Sequence, residues 1–178
     1  MKLIIGLGNP DQKYLETRHN LGFKIADAIR KKWQLPEFQF NKKLEAEISK
    51  GQLDDQEILL AKPQTFMNNS GMAVMNILNF FKLSADDILV IHDDLDIDVG
   101  KYKIAVDSSS AGNNGVQDII DRLGTQKFKR LRIGIGRNQN IPAEDYVLQK
   151  FSDPEKEIIS NLIGNLTAEA EKIIKNKI

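Results

Sequence analysis

The sequence predicts an α/β fold: a single three-layer domain over residues 1–178, with a twisted mixed β-sheet carrying helices on both faces. Three observations predict it. Short apolar, strand-like runs interleave with helix-period stripes from one end of the chain to the other. Two of the strand-like runs are joined by a polar turn, as in a hairpin, which makes the sheet mixed and not wholly parallel. No internal repeat, low-complexity segment or linker divides the chain.

Residues 2–7 read as a buried strand, stopped by Gly6-Leu7-Gly8-Asn9-Pro10. Asn20 is placed to cap a helix running to about Leu35, with Ile25, Ile29 and Trp33 spaced by four on one face. Residues 44–50 and 57–62 read as strands around a turn at Gly51-Gln52-Leu53-Asp54-Asp55, and Pro63 ends the second. Residues 64–69 form a loop, and Ser70 opens a helix to about Lys82. Residues 88–92 make an apolar strand ending in Asp93-Asp94-Leu95-Asp96. Residues 101–106 read as a strand, 107–113 as a small-residue loop, 115–123 as a helix and 131–135 as a strand. A polar loop covers 137–143. Ser152 followed three residues later by Glu155, with Pro154 in the first turn, marks the start of the last helix. Ile158, Ile159, Leu162, Ile163, Leu166, Ala170, Ile173 and Ile174 give that helix an apolar stripe.

Composition narrows the function. With 41% hydrophobic and 28% charged residues, the chain has the make-up of a globular protein and not of a disordered one. Cys is absent, which removes disulfides and thiolate chemistry and suits a reducing, cytoplasmic setting. No apolar run is long enough to span a bilayer, so no membrane association is expected, and residues 1–5 run into a Gly turn as a strand would. The 25 basic and 25 acidic residues cancel. A general nucleic-acid coat is therefore not expected, and any RNA contact rests on a local patch. One candidate patch is Lys127-Phe128-Lys129-Arg130-Leu131-Arg132, followed by Arg137.

Functional groups of such a sheet gather on the loops at strand ends. Here those loops hold Asn9, His19, Asn68, Asp93, Asn113 and Asn114: one imidazole, one carboxylate and several neutral amides. His19 titrates nearest neutral pH and is the natural general base, although a packing or capping role at a helix start suits it as well. Strand alternation turns Asp93 away from its neighbour His92, so Asp93 needs a partner from elsewhere, or is part of a solvated acidic turn. An Asp accepting from one ring nitrogen would fix the tautomer of His19 and favour its imidazolium. A carboxamide donates and accepts without a charge that would tie up an imidazole; a single Asn equally serves turn formation. There is no G-x-S-x-G elbow, so water activated by His is the simplest hydrolytic scheme.

The chain opens with Gly6-Leu7-Gly8-Asn9-Pro10, Tyr14 and Thr17-Arg18-His19-Asn20-x-Gly22. Lys62-Pro63-Gln64-Thr65-Phe66-Met67-Asn68-Asn69-Ser70-Gly71, His92-Asp93-Asp94-Leu95-Asp96, Asn114-Gly115 and Arg130 through Gly136 follow. In that order these motifs resemble the opening and later blocks of the bacterial-type peptidyl-tRNA hydrolases. The resemblance implies a hydrolase that cuts the ester between a peptide and the 3′-terminal ribose of tRNA. It implies His19 as base, Asp93 as its partner, and Asn9 as the residue that distinguishes blocked from free aminoacyl groups. It implies Tyr14, Phe66, Asn68 and Asn114 lining the substrate site, Met67 packed beside them, and Arg132 on a tRNA phosphate. It further implies no metal, no organic cofactor, no obligate protein partner and a cytoplasmic monomer.

The chain departs from the family at 105–113. The loop is usually Gly-rich with a His before Asn114; here Asp107, Ser108 and Ala111 replace Gly, Asn113 replaces the His, and Ala105 stands where a basic residue is common. Lys101 or Lys103 is placed to compensate for the missing charge. Three rivals remain at this point. Asp93, Asp94 and Asp96 could hold Mg²⁺ in a phosphoesterase, although alternation turns Asp94 away from the other two. Gly6-x-Gly8 after a first strand fits a dinucleotide site, but Asp11 stands where Gly or Ala is expected. A silent RNA-binding relative would keep the scaffold without turnover.

Overall fold

A computed structural model describes residues 1–175, so the last three residues of the domain expected over 1–178 lie outside the described residues. The centre is a seven-stranded sheet built from β1 (Lys2–Gly6), β2 (Gln39–Asn41), β3 (Ala46–Leu53), β4 (Gln56–Pro63), β5 (Ile88–Asp94), β6 (Tyr102–Ala105) and β7 (Lys129–Gly134). Their spatial order is β2-β3-β4-β1-β5-β7-β6. β4, β1, β5 and β7 run parallel, while β2, β3 and β6 pair antiparallel at the two edges. The sheet is therefore mixed, as the hairpin pattern predicts.

Period-2 alternation divides the core. Leu3 and Ile5 of β1 enter one cluster with Ile88 and Val90 of β5, and Ile4 enters the other with Leu89 and Ile91. The first cluster is covered by α2 (Ser70–Phe81) and α3 (Asn114–Leu123) through Val74, Ile77, Val116 and Ile119. The second is covered by α1 (Leu21–Lys32) and α5 (Asp153–Ile174) through Ile25, Ile29, Leu162 and Leu166. The helices thus lie on both faces, in three layers.

Several boundaries differ from the sequence expectation. The hairpin turn shrinks to Asp54-Asp55, because Leu53 pairs with Gln56 and Asp54 takes a left-handed φ of 52°. Asp tolerates that region, so Gly51 is free to stay in the strand. β7 begins at Lys129, not Leu131, so the basic residues lie inside the strand. A short helix, α4 (Ala143–Val147), begins right after Pro142 where the polar loop was expected to end. β2 was not expected at all; it is three residues long and two of them are polar. Asn20 does not cap α1: its side chain instead bonds both backbone groups of Asn9. The capping box at Ser152 and Glu155 forms as predicted.

Candidate active site

The C-terminal ends of β1, β4 and β5 open on one edge of the sheet, where a reversal of strand order leaves room for a ligand. Two glycines bring the first helix onto that edge. A Cβ on Gly22 would stand 2.4 Å from the Ile91 carbonyl oxygen and 2.4 Å from the Leu7 nitrogen; one on Gly6 would stand 2.3 Å from the Gly22 oxygen. Only bare backbone lets α1 start this close to β1 and β5. The 3-10 turn Arg18–Asn20, just before α1, is thereby delivered to the end of β5.

Here His19 meets Asp93. His19 Nδ1 lies 2.9 Å from each carboxylate oxygen, and both residues are buried. A carboxylate can only accept, so in the neutral ring Nδ1 carries the hydrogen and Nε2 holds the lone pair. Burial lowers the His19 pKa, but the charge of Asp93 and the hydrogen bond to it outweigh that, and the net shift is upward from 6.5. Arg18 braces the turn from behind. Its guanidinium carbon sits 4.5 Å from the Tyr146 ring centre and 4.8 Å from that of Phe151, and it pairs with Glu155 at 2.9 Å. This clamp also places α4 beside His19.

The His19 ring lines a cleft of about 390 Å³ together with Asn9, Tyr14, Phe66, Met67, Asn68, Asn114, Glu144, Val147 and Leu148. The structure thus brings eight of the nine expected site residues to one place: seven line the cleft with His19 among them, and Asp93 stands directly behind His19. Asn68 and Asn114 are solvent-exposed, whereas Met67 is buried and forms the floor. Tyr14 and Phe66 meet edge to face, with ring centres 6.5 Å apart. Glu144, Val147 and Leu148 were missed by sequence reasoning. They come from α4 and the Leu148 that ends it, a short helix that carries too few residues for a pattern to read.

Asn9 is held rigidly. Its backbone is bonded by Asn20, and its Oδ1 accepts from the Met67 nitrogen at 2.8 Å. A backbone N–H can only donate, so Oδ1 must face it, and the Nδ2 amino group is left as a donor for the cleft. Phe66, just before Met67, takes a φ of 59°, which turns its ring half out to the rim.

Arg132, the ninth residue, stands apart. It lies on the sheet face opposite Asp93, where its Nε donates to Asp94 Oδ2 at 2.6 Å. The basic patch read from the sequence is mostly committed elsewhere. Arg130 is fully buried and donates to the Ser108 backbone and hydroxyl oxygens and to the Ser109 carbonyl. Arg137 pairs with Asp96. Lys103, opposite Arg132 in the β6–β7 register, is exposed.

Arg130 explains how the unusual loop crosses the sheet. Asp107 and Ala111 both take a left-handed φ of 51°, the conformation that Gly adopts at least cost. The loop accepts that strain, is pinned by Arg130, and ends with Asn113 capping α3: Asn113 Oδ1 accepts from the Val116 nitrogen at 3.1 Å. Asp93, Asp94 and Asp96 each hold a different partner, and among the described residues no group of three or more His, Cys, Asp or Glu side chains is close enough to hold a metal ion. After β1 comes a 3-10 turn at Gln12–Tyr14, capped by Asp11, in place of the helix of a dinucleotide fold. Among the described residues no helix is long and apolar enough to cross a membrane.

Known proteins resemble this chain over most of its length. The family model described as peptidyl-tRNA hydrolase matches residues 3–178. The chain is 46% identical over 165 residues to peptidyl-tRNA hydrolase from Mycoplasmopsis synoviae, covering 92% of this chain and 84% of that one. It is 41% identical to peptidyl-tRNA hydrolase from Oceanobacillus iheyensis, covering 99% and 94%. A crystal structure of peptidyl-tRNA hydrolase from Acinetobacter baumannii superposes with a TM-score of 0.93 at 29% identity, over 99% of this chain and 90% of that one. An Arabidopsis thaliana 5′-methylthioadenosine nucleosidase, at 9% identity and a TM-score of 0.58, shares the fold alone. On this evidence the chain belongs to the peptidyl-tRNA hydrolase family, a family of hydrolases.

Proposed function

We propose that this chain hydrolyses the ester joining a peptide to the 3′-terminal ribose of tRNA, with His19 as general base. The observation that carries the reading is the His19–Asp93 bond of 2.9 Å beside a cleft lined with neutral amides. With Nδ1 committed to Asp93, Nε2 can take a proton from a water in the cleft. The water oxygen attacks the ester carbonyl, and Asp93 stabilises the imidazolium that results. Amide donors from Asn68 and Asn114 stabilise the tetrahedral oxyanion. Collapse breaks the bond to the ribose oxygen, which recovers the proton from His19. The products are a peptide with a free carboxyl group and a tRNA with a free terminal hydroxyl.

Asn9 supports selectivity for blocked substrates. Its Nδ2 is a donor only, which complements the carbonyl oxygen of an N-acylated residue and repels the ammonium of a free aminoacyl group. Tyr14, Phe66 and Met67 offer apolar contact to the peptide. On the opposite sheet face, Lys103 and the exposed part of Arg132 lie side by side and suit a tRNA phosphate. The reading needs no metal, no organic cofactor and no second protein chain, and it places the reaction in the cytoplasm with translation.

The test is hydrolysis of an N-blocked aminoacyl-tRNA with EDTA present, beside His19→Ala. Turnover in EDTA that vanishes in the variant is expected. Loss of wild-type turnover on chelation would overturn the scheme in favour of metal chemistry, and tight binding without turnover in EDTA or Mg²⁺ would mark a silent RNA-binding protein.

A further inference from the structure

Among the described residues the Asp93 carboxylate is bonded by two side chains, and the proposed reaction uses only one. The second is Asn113, which is buried and whose amide is used at both ends. Its Oδ1 accepts from the Val116 nitrogen at 3.1 Å, capping α3. Its Nδ2 donates to Asp93 Oδ1 at 3.0 Å, with the Asp93 backbone oxygen 3.4 Å away. The cap fixes the orientation: a backbone N–H can only donate, so the amide oxygen must face Val116 and the amino group must face Asp93. His19 reaches Asp93 from the α1 layer, and Asn113 reaches it from the α3 layer.

We propose that Asn113 is a positioning residue that moderates the hold of Asp93 on His19. The amide places the positive end of its dipole against Oδ1, one of the two oxygens that His19 contacts. It shares that oxygen's lone pairs and opposes a positive ring nearby, so the imidazolium is stabilised less than by a carboxylate left to His19 alone. A base must be neutral to act, so this keeps more of His19 in working form near neutral pH. The other charged or titratable groups around the pair are accounted for. His92 on the same strand is neutral, with a pKa lowered to about 4 mainly by burial. Asp94 is paired with Arg132, and Arg18 with Glu155. Glu144 is exposed at the cleft wall, and Tyr14 lines the same cleft. Among these, Asp93 is the group whose charge raises His19.

The proposal rests on His19 being the base, and the test separates the two. Asn113→Ser and Asn113→Asp both keep a capping side chain for α3 and remove the donor to Asp93. The sequence has two histidines, and their titrations stand far apart, so the His19 ring can be followed by NMR beside His92 as a reporter of the intact strand end. The His19 titration should move up in Asn113→Ser and further up in Asn113→Asp, the latter by about one pH unit from the added charge. The acid limb of kcat/KM should follow, falling about tenfold at a fixed pH on that limb for a one-unit shift. If the His19 titration superposes on wild type in both variants while the His92 signal is unchanged, Asn113 is only a helix cap and the proposal fails. If the ring titration moves but the rate profile does not, Asn113 acts as proposed and His19 is not the base.

Discussion

At the end of β5, consecutive residues enter two different chemistries. Asp93 points to the α1 face and meets His19 beside an open cleft. His92 and Asp94 point to the other face and are sealed, His92 donating from Nδ1 to the Asp93 backbone oxygen at 2.8 Å and Asp94 accepting from Arg132. The two histidines of the chain thus touch the same residue with opposite results. His19 contacts the carboxylate, and its pKa is raised; His92 contacts only the carbonyl, and burial lowers its pKa to about 4. The residue type does not decide the role. At His19 the carboxylate bond outweighs burial and the ring opens on the cleft; at His92 complete burial outweighs the attraction of Asp93 and Asp94, and the ring stays neutral.

The contrast can be broken in graded steps. His19→Ala should lower kcat about a thousandfold, roughly 4 kcal/mol of barrier, with little change in melting temperature. A large loss of stability with retained turnover would reverse the assignment of the two faces. On the sealed face the same logic predicts damage to folding. Arg132→Ala leaves Asp94 buried without its cation and should cost about 2–3 kcal/mol of stability by denaturant titration, less than for a wholly enclosed pair because the Arg132 side chain is 19% exposed. Its effect on tRNA binding is therefore best isolated at Lys103. Lys103→Ala should leave stability unchanged and reduce the slope of log affinity against log salt by about one.

His92 gives the pH signature of the sealed face. Its folded pKa lies below the unfolded value of 6.5, so between pH 6.5 and about 4 the unfolded chain takes up a proton that the folded protein refuses. Stability is full above 6.5, falls as the pH drops through that window by about 3 kcal/mol, and levels off below it. His19 has the reverse sign: its folded pKa is raised, so its contribution is full below 6.5 and is lost as the pH rises through the folded value. His92→Leu should flatten the acid slope even if overall stability drops. An acid slope identical to wild type would show that His92 is not the group that titrates.

The same strand shows what a sequence can and cannot reveal. Alternation along residues 88–94 correctly separates Asp93 from His92 and Asp94, because a strand has only two faces. It does not say what stands opposite each face. His19 is 74 residues from Asp93, and their meeting depends on the close approach of Gly22 to β1 and β5, which alternation along one strand does not supply. Arg130 and Arg132 read as a surface patch because they are basic. Alternation with the core residues Leu131 and Ile133 puts them on one face, yet what covers that face is a loop from residues 107–113 and a carboxylate from β5. Asn113 read as the loss of a contact made by a His. Its reach to Asp93 depends on the course of that loop, which Arg130 determines from 17 or more residues away along the chain. α4 and β2 carry too few residues for a period to emerge.

The most direct test of the central claim is the pH dependence of kcat/KM on an N-blocked aminoacyl-tRNA for wild type and Asp93→Asn side by side. With Asp93 present, the acid limb should have its midpoint above 6.5; with Asn in its place the charge is gone, burial remains, and the midpoint should fall while the plateau drops. Profiles that superpose in position would contradict the account, because they would mean that the ionisation controlling the rate does not feel Asp93.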